Sequence, residues 1–247
     1  MPNRNNSNRL ETAVDRAERL LIESIINGTY PPNADLPGER RLAQDFQVAR
    51  PALREALQRL YHDGWLDIQQ GRSTRVRDFL RDGNLNIIRG LLLANPELIP
   101  DLVPNLLEMW SLFAPVYTSA AVRRAPGLIM DQIAACLEAE DTPDAYAHAM
   151  WSLHRRLIDY CGNAIYGLLF NTFSAFYHQF AVHSYQEPLR RVEARRLWEA
   201  LGEAIKEIDA RKAGKLISVF MHHTRQYWTS HIHEILRLDL QDQEKNQ

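Results

Sequence analysis

Residues 10–77 constrain this chain more than any other stretch, because three helical periodicities are followed at once by a glycine-centred alternation. From about Leu10, Val14, Ala17, Leu21 and Ile25 share one helical face, with Leu20, Ile22 and Ile26 beside them. Asn27-Gly28 then offers a left-handed stop. Tyr30-Pro31-Pro32-Asn33-Ala34-Asp35 is stiffened by proline and predicts an extended loop. A short helix carrying Glu39, Arg40, Arg41, Leu42 and Phe46 follows Pro37-Gly38. After a turn at Gln47-Val48-Ala49, a second helix runs from Pro51, whose missing N–H costs nothing at a first helical position, to about Asp63. Gly64 closes it. Trp65 to Gln69 alternates apolar and polar residues, Gly71 supplies a turn, and Thr74-Arg75-Val76-Arg77 reads as the returning strand. Helix, short helix, turn, helix, hairpin is the order of a winged helix-turn-helix.

Charge sharpens that reading. The whole chain carries a net charge of only −2, which says nothing about a polyanionic partner. Between Arg40 and Arg77, however, eight arginines face four acidic residues, a local net charge of +4. All the basic residues there are arginine, the side chain suited to bidentate contact with phosphates and guanine edges. A salt-bridged, solvated helix surface would use the same residues.

Beyond about Asp82 the texture becomes helical throughout. Helices are predicted near 84–94, 98–122, 127–140, 143–161, 163–186, 189–210 and 213–238. The breaks are expected at Asn95-Pro96, Ala125-Pro126-Gly127, Asp141-Thr142-Pro143, Gly162-Asn163, Glu187-Pro188 and Ala213-Gly214, with Pro104 and Pro115 kinking the second helix. The fold class is therefore mainly α, a winged helix-turn-helix followed by an all-helical bundle. The expected division is a disordered polar arm at 1–10, the DNA-binding domain at 11–78, a linker at 79–83, the helical domain at 84–240 and a polar tail at 241–247. With 247 residues and 45% hydrophobic content the chain is long enough for two cores. Cys136 and Cys161 are too few and too distant for a disulfide framework, and fit buried thiols in a reducing compartment. The polar first residues lack an apolar signal core, and no apolar run approaches bilayer length, so a cytoplasmic protein without membrane attachment is expected.

Leu36-Pro37-Gly38-Glu39-Arg40-Arg41-Leu42-Ala43, then Val48 to Leu57, Asp63-Gly64-Trp65-Leu66 and Gln70-Gly71 resemble the DNA-binding domain of the GntR family. Leu85-Asn86-Ile87, Leu102 to Leu107, Gly162 to Leu168 and a terminal helix through Trp228 resemble its FadR subfamily, acyl-CoA-responsive regulators of fatty-acid metabolism. The resemblance implies a homodimer on a pseudo-palindromic DNA operator, whose affinity falls when a long-chain acyl-CoA occupies the helical domain. Arg40, Arg50 and Arg54 become the leading DNA contacts, with Pro51 and Ala52 on the recognition helix and Gln70, Gly71 and Arg72 at the wing. The subfamily has Thr-Thr and His where this chain has Pro51-Ala52 and Gln70, which implies a shifted operator preference.

For the effector, the resemblance assigns Tyr177, Phe220 and Trp228 to the pocket, with His154 among the pocket or core histidines. Trp110 and Met221 stand where the subfamily has an arginine and a glycine. Many GntR relatives bind a metal through one Asp and three His. Here His154 and His222 match two of those positions, but Met150 and Trp198 hold the others, so no metal is expected and the two histidines are read as satisfied by hydrogen bonds. A carboxylic acid or metal-bound metabolite stays open as the effector. An enzyme is not expected, since the chain has no phosphate-binding glycine loop, no HExxH and no nucleophile elbow, although a His-Cys pair stays open.

Overall fold

Helix α1 (Ala13–Ile26) begins where its cap dictates. The Thr12 hydroxyl accepts from the Asp15 N–H at 3.1 Å while the Asp15 carboxylate accepts from the Thr12 N–H at 3.3 Å. This reciprocal capping sets the start three residues later than the apolar pattern suggests. The structure is a computed structural model describing residues 11–94 and 99–245, so the arm expected at 1–10 and the break at Asn95-Pro96 lie outside the described residues. The chain divides into two compact units, Met1–Leu98 and Ile99–Gln247.

In the first unit, α3 (Arg50–Asp63) packs on α1 and α2 (Glu39–Asp45) on α3, with Leu21, Ile22, Ile25, Leu42, Leu53 and Leu60 all buried. Gln47 turns the chain between them at φ 55, and Gly64 caps α3 at φ 93, where a Cβ would be strained. Strands β1 (Leu66–Asp67) and β2 (Arg75–Val76) pair antiparallel in the register Leu66 with Val76 and Asp67 with Arg75. The proline-stiffened loop adds a third rung that the sequence pattern does not reveal. Asp35 bridges to Arg75, and the Leu36 N–H donates to the Thr74 carbonyl at 2.7 Å. This unit is the winged helix-turn-helix.

The segment 79–83, read from sequence as a linker, contains the short helix α4 (Phe79–Asp82), and Phe79 lies 4.7 Å from Trp65. Helix α5 (Asn86–Ala94), expected with the second domain, packs on α1 instead. Gly90 permits that approach, because a Cβ there would sit 2.9 Å from Ile22 and 3.0 Å from Trp65.

The second unit is all helical: α6 (Ile99–Arg124), α7 (Pro126–Leu137), α8 (Pro143–Tyr160), α9 (Ile165–Asn171), α10 (Tyr177–Gln186), α11 (Pro188–Lys206) and α12 (Ala210–Lys245). Helix α6 continues through Pro104 and Pro115. The single helix expected at 163–186 is instead α9, a 3-10 turn at Thr172–Ala175 and α10, separated at Phe176 with φ −132. The break expected at Ala213-Gly214 falls earlier, where Ile208 adopts φ 52. Helix α12 also runs beyond 240, into the residues read as a polar tail. Both cysteines are buried and free.

Gly214 sits inside α12 because α6 passes directly against it. A Cβ would lie 2.3 Å from the Ser119 hydroxyl, which itself donates to the Ala210 carbonyl at 2.8 Å, and 3.0 Å from the Pro115 carbonyl oxygen. In an open helix Gly→Ala gains about 1 kcal/mol. Here the sign reverses: Gly214→Ala is expected to lower stability by about 1–3 kcal/mol through overpacking, measured by urea unfolding.

Candidate nucleic-acid interface and interior chamber

Arg50 and Arg54 stand one turn apart at the amino end of α3, and both face Glu39 of α2. Arg54 Nε lies 2.6 Å from its carboxylate and an Arg50 nitrogen 3.9 Å away. The arginine side chains are 58% and 62% exposed, so these pairs are worth roughly 0–1 kcal/mol and leave most of each guanidinium free. Arg40 is exposed and makes no ion pair among the described residues. Pro51 is exposed and Ala52 half-buried, the proline occupying a helical position whose N–H would have no intrahelical partner. Gln70, Gly71 and Arg72 are exposed at the hairpin tip. Gly71 has φ 78 and an added Cβ would meet nothing within 4 Å, so the backbone angle rather than crowding requires glycine.

Three of the remaining arginines tie elements together, and Arg41 stays largely exposed. Arg59 bonds to Asp15 and Glu55, which ties α3 to α1, and Arg75 donates to the Asn33 carbonyl at 2.8 Å. Arg77 lies 3.8 Å from Asp67 and over the Tyr61 ring. Arg41 pairs loosely with Asp45. The salt-bridged surface and the exposed cationic face therefore overlap, since Arg50 and Arg54 are both paired with Glu39 and more than half exposed.

In the second unit, Trp110, His154, Tyr177, Phe220, Met221 and Trp228 are all buried and line one interior chamber. That chamber is filled. The space left among its walls is about 10 Å³, room for no more than a single water. Trp110 accounts for much of the filling, with its ring 4.8 Å from Phe173, 4.9 Å from His154 and 5.4 Å from Phe170.

Inside this dry packing runs a short polar chain. Trp110 Nε1–H donates to the Tyr117 hydroxyl oxygen at 2.9 Å, and that hydroxyl lies 2.6 Å from His154 Nδ1. Indole can only donate, so the arrangement that strands no hydroxyl proton has Tyr117 donating to Nδ1 and the histidine proton on Nε2. His154 Nε2 is buried without a partner. Burial holds the ring neutral, pushing its pKa down from 6.5 to about 3.

His222 is exposed on α12, its ring near His223, so it does not join His154 as a second buried histidine. Met150 and Trp198 are buried, and Trp198 packs against Tyr146 at 5.0 Å. Those four positions do not make a metal shell. Neither thiol bonds to a histidine: Cys136 donates to the Ala149 carbonyl and Cys161 to that of Asn163. The sequence reading missed Tyr117 and Arg190. Arg190 is buried beside the chamber, bonded to Glu193 at 2.5 Å, Thr224 at 3.1 Å and Ser184 at 3.3 Å, and lies over the Tyr227 ring. Within Pro188-Leu189-Arg190-Arg191, only the register of α11 distinguishes it from Arg191, which is half-buried and bonds to Asp141 and the Tyr185 carbonyl.

Comparison with known proteins assigns each half of the chain. Residues 13–76 match the model of bacterial regulatory proteins of the gntR family, and residues 77–240 match the FadR C-terminal domain. A fatty acid metabolism regulator protein of Edwardsiella ictaluri is 37% identical over 187 residues, 76% of this chain and 78% of the relative. The protein of the same description from Escherichia fergusonii is 34% identical over 212 residues, 86% and 89% of the two chains. Among solved structures, Lar of Listeria monocytogenes, described as controlling expression of the agr system, has a TM-score of 0.56 at 19% identity. It covers 88% of this chain and 97% of that one, a likeness of fold alone. No helix among the described residues is long and apolar enough to cross a membrane.

The neutral, buried His154 has a thermodynamic consequence with a definite sign. Between about pH 6.5 and pH 3 the unfolded chain binds a proton that the folded chain refuses, so stability falls as pH falls through that window. The slope from this group is about 1.4 kcal/mol per pH unit. Urea titrations at pH 6.0, 5.5 and 5.0 should show His154→Leu less acid-sensitive than the parent by about that slope. Equal slopes would mean that His154 charges freely in the folded protein.

Proposed function

The chain belongs to the GntR family of bacterial regulatory proteins and carries the FadR C-terminal domain, and from that premise we propose that it is a cytoplasmic, homodimeric transcription regulator of fatty-acid metabolism genes. Its relatives of known description are fatty acid metabolism regulators, and its exposed arginine face carries the DNA-binding part of the reading. Arg50 and Arg54 would reach base edges from the start of the recognition helix in the major groove. Arg40 would meet phosphates, and Pro51 and Ala52 would set apolar contacts. Gln70, Gly71 and Arg72 would follow the backbone or minor groove at the wing. One such helix reads only a few base pairs, which is why a pair of chains on a pseudo-palindrome fits the geometry.

We further propose that a long-chain acyl-CoA is the effector and that it weakens operator binding. The chamber around Trp110, His154, Tyr177, Phe220, Met221 and Trp228 is apolar enough for an acyl tail. His154 Nε2–H is a donor lacking an acceptor, which a thioester carbonyl would supply. Phe220 lines both this chamber and an open groove of about 460 Å³ between α11 and α12, rimmed by Arg196, Lys212 and Lys215. Those cations would face the CoA phosphates, a task that Trp110 cannot perform. Drug-sized ligands occupy roughly 300 Å³ or more, so tail binding must displace side chains, Met221 foremost. That repacking is the differential interaction through which a ligand can shift DNA affinity.

Two measurements check the two halves. Arg50→Ala with Arg54→Ala should weaken binding to a native promoter fragment at least tenfold. It should also reduce the slope of log affinity against log salt if phosphates are among their contacts, by roughly one per lost contact. Unchanged affinity would remove the DNA face. Met221→Gly should make room in the chamber and lower the acyl-CoA concentration that half-releases the operator. If no acyl-CoA of any length changes operator affinity in the parent or the variant, the effector is another compound.

A further inference from the structure

Outside both sites, three metal-ligating side chains converge at one edge of the helical unit. Asp144 and His148 are four residues apart in the first turns of α8 and therefore share a face. His178, the second residue of α10, meets them from the neighbouring helix. His178 Nε2 lies 3.2 Å from one Asp144 oxygen and His148 Nε2 3.6 Å from the other, with the two imidazole rings 5.0 Å apart. The three ligating atoms all fall within 4.8 Å of one another. Ligands at Zn–N and Zn–O distances near 2.0–2.1 Å stand about 3.3 Å apart in a tetrahedron, and each imidazole already lies near that spacing from a different Asp144 oxygen, so a turn of the carboxylate would present one oxygen, or both, to a shared ion. The two imidazoles must also draw closer, and all three residues are exposed.

We propose that Asp144, His148 and His178 form a divalent transition-metal site bridging α8 and α10, distinct from the four positions at which metal-binding GntR relatives hold theirs. Two imidazoles and one carboxylate favour zinc, cobalt or nickel over magnesium or calcium, which prefer all-oxygen shells. With three protein ligands, solvent completes the coordination. The amino ends of α8 and α10 repel a cation, which makes the Asp144 charge indispensable. The ion would also hold a wall in place: His178 follows Tyr177, whose hydroxyl donates to the Ala147 carbonyl, beside His148. His148, Trp151, Tyr177 and His178 line a cleft of about 190 Å³ there.

The test is cobalt titration of the full chain after removal of adventitious metal, followed by visible absorption, with zinc competition. One Co²⁺ per chain should bind with a d–d band, and zinc should abolish it. His178→Gln and Asp144→Asn should each weaken uptake by at least about tenfold, since even outer-shell changes cost 10–100-fold. Zinc should raise the melting temperature of the parent more than that of either variant. The exposed positions keep the variants folded, which equal melting in chelator will verify. Absence of uptake at 100 µM Co²⁺, or uptake undiminished in both variants, overturns the site and assigns any binding to other histidines such as His222 and His223.

Discussion

The helical unit is governed by the absence of spare volume at its centre. Trp110 is wedged among His154, Phe170, Phe173 and Tyr177, and the remaining space is about 10 Å³. A close-packed interior does not deform smoothly, because side chains occupy discrete rotamers and a displaced ring must find another well. On the proposed function, the chamber would be either packed as observed or rearranged around a guest. Such two-state behaviour is what a ligand-responsive regulator needs, since a guest accommodated without rearrangement would transmit nothing.

Polar groups within that packing follow the same constraint. Trp110, Tyr117 and His154 satisfy one another in series, leaving the unmet hydrogen at His154 Nε2. An unpaired buried donor costs about 1–3 kcal/mol.

Most of the DNA-binding fold was legible because its signals are local. Proline beside the start of α3, Gly64 at its end and the alternation from Trp65 each act within a few residues. The third rung at Asp35 was not legible, since an extended proline loop looks the same whether or not it pairs. The packing of helix α5 on α1 is not legible for a similar reason: Ile87 and Leu91 are buried, but periodicity does not say against what. In the helical unit, Gly214 reads as a terminator by composition, yet it is a contact point between α6 and α12. The buried polar chain joins residues 37 positions apart, a relation that spacing cannot carry. His222 illustrates the converse, matching a family position in sequence while its side chain faces solvent.

The arginines of the first unit divide by a simple rule of counter-charge. Arg59 is met by Asp15 and Glu55 and ties two helices together, whereas Arg50 and Arg54 share the single carboxylate of Glu39. Two cations on one anion leave an excess of positive charge at the surface. Exposed pairs are worth little in water, so exchanging Glu39 for a phosphate costs almost nothing on the protein side. Glu39 thus holds the two guanidiniums side by side at the amino end of α3 without neutralising them.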